Sequence, residues 1–197
     1  MKINRYKLTV TFVTSLLGTQ PQKDVATEYL TSKVTSENGT LPADEMATLP
    51  EELERGTTAF HKFDGKPILY DYMVKGFVKE AGSVFNGLHG VKNLRSKLDN
   101  LVFFEPRQIE LHSPFDTAPS FCERPLRAMT AQGPRTALAR SEELPAGTWF
   151  TCDVNVYDGP ISEIMLNDLF SYGRKKGMGQ WRNGSHGQFE FMLVSDK

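Results

Sequence analysis

The spacing of apolar residues changes along this chain in a set order, and that order limits the folds open to it. From Lys7 to Leu17 it is every second residue, with Leu8, Val10 and Phe12 on one face and Thr9, Thr11 and Val13 on the other, which predicts a strand that Gly18 ends. From Tyr70 to Val84 it becomes helical, with Met73, Phe77, Val78 and Ala81 on one side and Lys75 and Lys79 on the flank. "LVFFEPRQIEL" (101–111) reads as a strand pair interrupted by Pro106. "RTALARSEELPAGTWFTCDVNVYDG" reads as a hairpin that turns through Pro145 and Gly147 into the alternation Phe150, Cys152, Val154, Val156. "SEIMLNDLFSYGRKKG" is an amphipathic helix expected to lay Ile164, Leu166, Leu169 and Phe170 on a sheet before glycine stops it, and "QFEFMLV" closes the chain as a strand.

Strand, helix, strand followed by strand, helix, strand is the split βαβ order, so the expected fold class is α+β with a ferredoxin-like core. Residues 7–17, about 101–111, 136–156 and 188–194 should supply one antiparallel sheet, with helices 70–84 and 161–176 on one face. A length of 197 residues suits a single domain, 1–197, with large insertions. The first, 19–58, is acidic: Asp24, Glu28, Glu37, Asp44, Glu45, Glu51, Glu52 and Glu54 face only Lys33 and the neighbouring Lys23. Gly39, Pro42 and Pro50 break it, so it should be partly mobile, with short helices in "VATEYLTSKV" and "PEELERG". The second, 112–135, is Pro-rich, and "AFHKFDGKPILY" reads as a hairpin turning at Asp64–Gly65.

A formal net charge of −1 makes no global case for a polyanionic partner, so any basic surface must be local. Two segments without acids provide one: Arg124, Arg127, Arg135 and Arg140 in the first, Arg174, Lys175, Lys176 and Arg182 in the second. Cys122 and Cys152 lack ligand or framework spacing, which argues for free thiols and against a metal site. No apolar stretch reaches membrane-spanning length, so the expected location is the cytoplasm. "GMGQWRNGSHGQFEF" (177–191) is the richest glycine loop, yet a helix precedes it and a strand follows. A dinucleotide loop needs the reverse order, so no cofactor is expected.

Three motifs in order carry a family resemblance. "PILYDYMVKGFVKEAG" is similar to the first-helix motif of the RAMP superfamily of CRISPR-associated repeat-processing and guide-binding proteins; "LPAGTWFTCDVNV" resembles the hairpin of its backbone subunits, and "GMGQWRNGSHGQF" its C-terminal glycine-rich loop. The chain also resembles phage and prophage proteins with a Gly-x-Gly-x-Trp-Arg ending, which implies a viral gene acting in a host cytoplasm. The resemblance implies an RRM-related core holding single-stranded RNA or DNA along the sheet and glycine loop, although the strands carry no RRM signature of paired exposed aromatics.

The residues this reading assigns to nucleic acid are Lys75, Lys79, Arg127, Arg135, Arg174, Lys175, Lys176, Gly177, Gly179, Trp181, Arg182 and Gly184. Glycines admit a phosphate backbone closely, Trp181 can stack a base at about 1–3 kcal/mol, and Arg182 can meet phosphate. The competing reading is a structural glycine turn with Trp181 buried. Binding without chemistry is expected. One alternative is an interaction protein that decoys host CRISPR effector subunits through the acidic stretch; another is a metal-independent endoribonuclease using His61 or His186, ahead of His89 and His112. Edge-to-edge homo-oligomers are a further expectation of the resemblance.

Overall fold

The computed structural model describes residues 2–21, 57–115, 120–130 and 133–196. The helices read in 25–34 and 50–56, and most of the acidic insertion, lie outside these described residues. In chain order the elements begin β1 (Ile3–Phe12), β2 (Leu16–Leu17), β3 (Gln20–Pro21), β4 (Thr57–Ala59), β5 (His61–Phe63), β6 (Lys66–Tyr70) and α1 (Asp71–Val84). They continue α2 (Leu94–Leu101), β7 (Val102–Glu105), β8 (Gln108–Glu110), β9 (Ser120–Thr130), β10 (Gly133–Leu144) and β11 (Trp149–Tyr157). The last are α3 (Glu163–Ser171), α4 (Gly173–Lys176) and β12 (Phe189–Asp196). No helix among the described residues is long and apolar enough to cross a membrane.

The chain divides into two compact units. The first comprises Met1–Leu16, His61–Ala118 and Leu144–Lys197. Its main sheet has four strands in the order β12–β1–β11–β7, every neighbour antiparallel. Alternation gives one face to the core: Leu8, Val10 and Phe12 of β1 and Phe150, Cys152, Val154 and Val156 of β11 are all buried. Val74, Phe77, Val78 and Ala81 of α1, and Met165, Leu166, Leu169 and Phe170 of α3, are buried too. Phe77 and Phe170 stack at 6.3 Å, while Phe77 meets Phe189 edge-on at 5.2 Å and Phe170 meets Phe191 at 5.5 Å. Both helices therefore lie on the same face of the sheet.

A second, three-stranded sheet in this unit runs β5–β6–β8. Its hairpin turns at Asp64 and Gly65, both at positive φ, as the Asp-Gly pair predicts. The other unit, Leu17–Phe60 and Pro119–Glu143, carries the long antiparallel β9–β10 ladder and a parallel β10–β4 pair.

Three expectations need correction. Residues 136–144 are a strand, but β10 pairs with β9 and β4 and not with the main sheet, so alternation identified a strand and not its partner. The strand pair read in 101–111 is divided between sheets: β7 joins the main sheet through β11, but β8 pairs with β6, and the Pro-rich insertion that follows contributes β9 to the β9–β10 ladder. Pro125 is tolerated there because β9 pairs only with β10 among the described residues, and a strand edge does not need every N–H. Ile164 is 67% exposed and Met165 takes its place in the core; the buried stripe 165, 166, 169, 170 leaves position 164 about 100° outside it.

Burial also fixes the thiols. Cys152 is buried in β11, and desolvation first, with the charge of Asp153 behind it, pushes its thiol up to about 12. Cys122 is half-buried. Alkylation of the native protein at about pH 8 should label Cys122 and spare Cys152, and denaturant should expose both to mass-spectrometric detection. Native labelling of Cys152 would contradict the β11 register.

Candidate nucleic-acid interface

The glycine loop is built around the end of β1. Val13 N–H donates to Gln188 O at 2.8 Å, Gly187 N–H to Ser15 O at 2.8 Å, and Gln188 N–H to Thr14 Oγ1 at 2.9 Å. The loop also closes on itself, Met178 N–H donating to Gly187 O at 2.8 Å. Gly187, at φ +70°, has no room for a side chain: a Cβ there would stand 1.8 Å from Met178 O. One from Gly177, at φ +72°, would stand 2.6 Å from His186 O. Glycine freedom at these positions is thus consumed by the loop's own backbone, which is why so many glycines precede the last strand.

Trp181 is displayed and not buried. It is 39% exposed, sits in the left-handed region at φ 53°, and stacks on His186 with ring centroids 4.9 Å apart. Gly184 passes under the indole, where a Cβ would fall 2.7 Å from Cε2. His186 is held in turn by Ser15, whose Oγ lies 2.9 Å from Nδ1. The two rings form a stacked aromatic pair on the loop.

The basic residues divide into two kinds. Lys176 and Arg182 converge on Glu80 of α1, with Lys176 Nζ 3.2 Å from Oε1 and the Arg182 guanidinium hydrogen-bonded to Oε2. Partial burial alone would raise the Glu80 carboxyl, but the hydrogen bonds and charges of Arg182 and Lys176 outweigh it and hold the group below its ordinary range. Lys75 and Lys79, one turn apart on α1, share Asp99 of α2 at 3.6 and 2.8 Å. The Lys79 hydrogen bond, against some desolvation, keeps Asp99 low. Lys75 also lies over the Phe103 ring at 4.3 Å. Segments free of acid in sequence are therefore not free of acid in space; Glu80 and Asp99 were the residues that sequence reasoning missed.

Arg174 and Lys175 are the other kind. Both are exposed on α4, and among the described residues no carboxylate lies within ion-pair reach of either. Three basic residues in the last turn of α4 complement the helix dipole, but these two keep their charge available to solvent. Arg127 and Arg135 belong to the other unit, near one another in the β9–β10 ladder where Arg127 faces Thr136 and Arg135 faces Ala128.

The remaining histidines have separate settings. His61 meets Tyr70 edge-on at 4.8 Å, and burial pushes its pKa down. His89 pairs with Asp168 at 2.7 Å, and His112 stacks on Trp149 at 4.3 Å. Among the described residues no cluster of three His, Cys, Asp or Glu side chains is placed to hold a metal ion.

No protein-family model matches the sequence, and no curated protein is similar to it. Solved structures do resemble it. One is a chain of the type III-B Cmr-beta bound to cognate target RNA, at 13% identity over 98% of this chain with a TM-score of 0.47; this chain spans only 61% of its length. Another is a chain of a type IV-B CRISPR complex, at 11% identity over 96% of this chain and 90% of that one, with a TM-score of 0.51. At such identities the likeness is one of fold: the chain is built like a subunit of a type IV-B CRISPR complex.

Proposed function

We propose that this is a RAMP-like protein with a ferredoxin-like core that binds single-stranded nucleic acid, RNA before DNA, at the end formed by α4 and the glycine loop, without chemistry of its own. The observation that carries the proposal is the conjunction on one short stretch of two exposed cations without a carboxylate partner among the described residues, Arg174 and Lys175, and a partly exposed, stacked indole, Trp181. Charge of that kind attracts phosphates, and an indole face accepts any base. The element order and the sheet order β12–β1–β11–β7, with the first strand between the last and the third of the motif, support the ferredoxin-like assignment. The fold likeness to a chain of a type IV-B CRISPR complex supports CRISPR effector subunits as partners.

Within this reading Lys176 and Arg182 are held in place by Glu80, and Lys75 and Lys79 by Asp99, so they shape the local potential while Arg174 and Lys175 meet phosphate directly. Gly177, Gly179 and Gly184 set the loop's shape. Protein purified at low salt without nuclease should carry short RNA, extractable and digested by ribonuclease but not by deoxyribonuclease. Protein free of nucleic acid that also fails to bind mixed single strands would remove the proposal and leave the decoy of a host effector as the reading to pursue.

A further inference from the structure

The three-stranded sheet β5–β6–β8 has an outward face that no part of the interface above uses. Register places His61 opposite Ile68, Phe63 opposite Lys66, and Glu110 opposite Ile68 from the other side, with Gln108 opposite Tyr70. Side chains directly opposite one another across a ladder share a face. That face therefore gathers aromatic and polar groups from the β5–β6 hairpin and from β8, about forty residues later in the chain. It is hollowed into a cleft of about 370 Å³ lined by Phe63, Asp64, Lys66, Ile68, Gln108 and Glu110. This is within the roughly 300–1,000 Å³ typical of small-ligand sites.

The lining has a definite chemistry. Ile68 is buried and gives the cleft an apolar floor, while Phe63 is 52% exposed at its side. A large phenyl ring left half in water on a sheet face offers a stacking surface. Lys66 Nζ donates to Glu110 Oε1 at 2.6 Å, which uses one of the ammonium's three hydrogens. Glu110 Oε2 has no hydrogen-bond partner among the described residues. The Lys66 hydrogen bond holds the Glu110 carboxyl below its ordinary range, so it is an acceptor at neutral pH. Gln108 adds an amide that both donates and accepts. Beyond it, Arg107 places its guanidinium over Tyr70 at 5.7 Å with three quarters of its side chain in solvent, and Tyr72 stacks on Tyr70 at 5.4 Å.

We propose that this cleft holds one unpaired guanine base of the bound single strand, stacked on Phe63 and read by Glu110 and Lys66. The inference rests on the single-strand reading above and adds a sequence preference to it. Guanine presents two adjacent N–H donors, N1 and N2, beside the acceptor O6. A carboxylate next to an ammonium is the complement of that edge. Adenine and cytosine turn a ring-nitrogen acceptor toward the carboxylate, and uracil offers it a single N–H between two carbonyls. Arg107, one residue before Gln108, makes a long 3.8 Å ion pair with Asp71 and keeps three quarters of its side chain in solvent, so it can turn to the phosphate of the same nucleotide.

Two RNAs of equal length, one of uridines only and one with a single central guanine, test this by fluorescence anisotropy. The guanine-containing strand should bind roughly tenfold tighter, the order expected for one good base-edge pairing. Glu110→Gln, an isosteric change, should bring the two affinities together, and because it also releases Lys66 it should steepen the salt slope of both strands alike by up to about 0.7. Phe63→Ala should do the same by removing the stack. Lys175→Glu should weaken both strands and keep their ratio. Equal affinities for the wild type would overturn the guanine cleft while leaving the single-strand reading intact. Binding of neither strand at low salt would overturn both.

Discussion

Phe189→Ala should cost about 3–5 kcal/mol of folding stability, the range for truncating a fully buried phenylalanine. Phe189 is completely buried at the start of β12, its ring meets Phe12 at 6.1 Å and Phe77 at 5.2 Å, and Gly173 lies flat against it, since a Cβ there would fall 1.9 Å from Cζ. This one ring joins β1, α1, the start of α4 and the last strand. Its loss leaves a cavity that four separate elements would have to fill, and a main chain already hydrogen-bonded across β1 cannot shift to fill it. A loss of that size is a large share of the roughly 5–15 kcal/mol that holds a domain folded. Urea denaturation should show a lower midpoint at an unchanged slope. A change below about 1 kcal/mol would mean the ring is not packed as described. Because Gln188, the preceding residue, anchors the glycine loop to Val13 and Thr14, the variant should also lose nucleic-acid affinity in proportion to its unfolded fraction.

The double variant Arg174→Glu/Lys175→Glu should abolish most nucleic-acid binding at a cost in stability of no more than about 1–2 kcal/mol, the penalty for placing acids where bases complement the α4 dipole. Both side chains are solvated and free of carboxylate partners among the described residues, so no native contact is lost. Hydrogen bonds to charged groups are worth about 1.5–3 kcal/mol each, so losing two should reduce affinity on the order of a hundredfold or more at low salt. The log-log salt slope should flatten by about 1.4, or about 0.7 for each lost phosphate contact. Glu80→Gln provides the opposite sign. It removes the carboxylate that occupies Lys176 and Arg182, so two more cations become available and affinity should rise with a steeper slope. Weaker binding in that variant would show that Glu80 serves chiefly to position the loop, and Arg182 would then be a structural residue.

The main sheet was legible because each of its strands buries only one face: Leu8, Val10 and Phe12, then Phe150, Cys152, Val154 and Val156, alternate without interruption. Helical spacing placed α1 and α3 for the same reason. Which strand a strand pairs with was not legible. Residues 136–144 alternate as well as any core strand, but β10 takes its partners from β9 and β4, a choice set by long-range packing that no local pattern encodes. For the candidate site, the chain order revealed the displayed indole and the run Arg174, Lys175, Lys176. It could not reveal that Glu80, a century of residues earlier in the chain, neutralises Arg182, because ion pairs across helices leave no spacing signature. The cleft on the three-stranded sheet was hidden too, since Lys66 and Glu110 meet only once β6 pairs with β8.

The dependence on salt of wild-type binding to a mixed-sequence single-stranded RNA is the most direct measure of whether this protein grips a phosphate backbone. Arg174 and Lys175 alone predict a fall in log K with log salt of slope about −1.4, and each further cation that engages adds about −0.7. A slope near zero, or no binding at low salt, would contradict the interface assigned to α4 and the glycine loop.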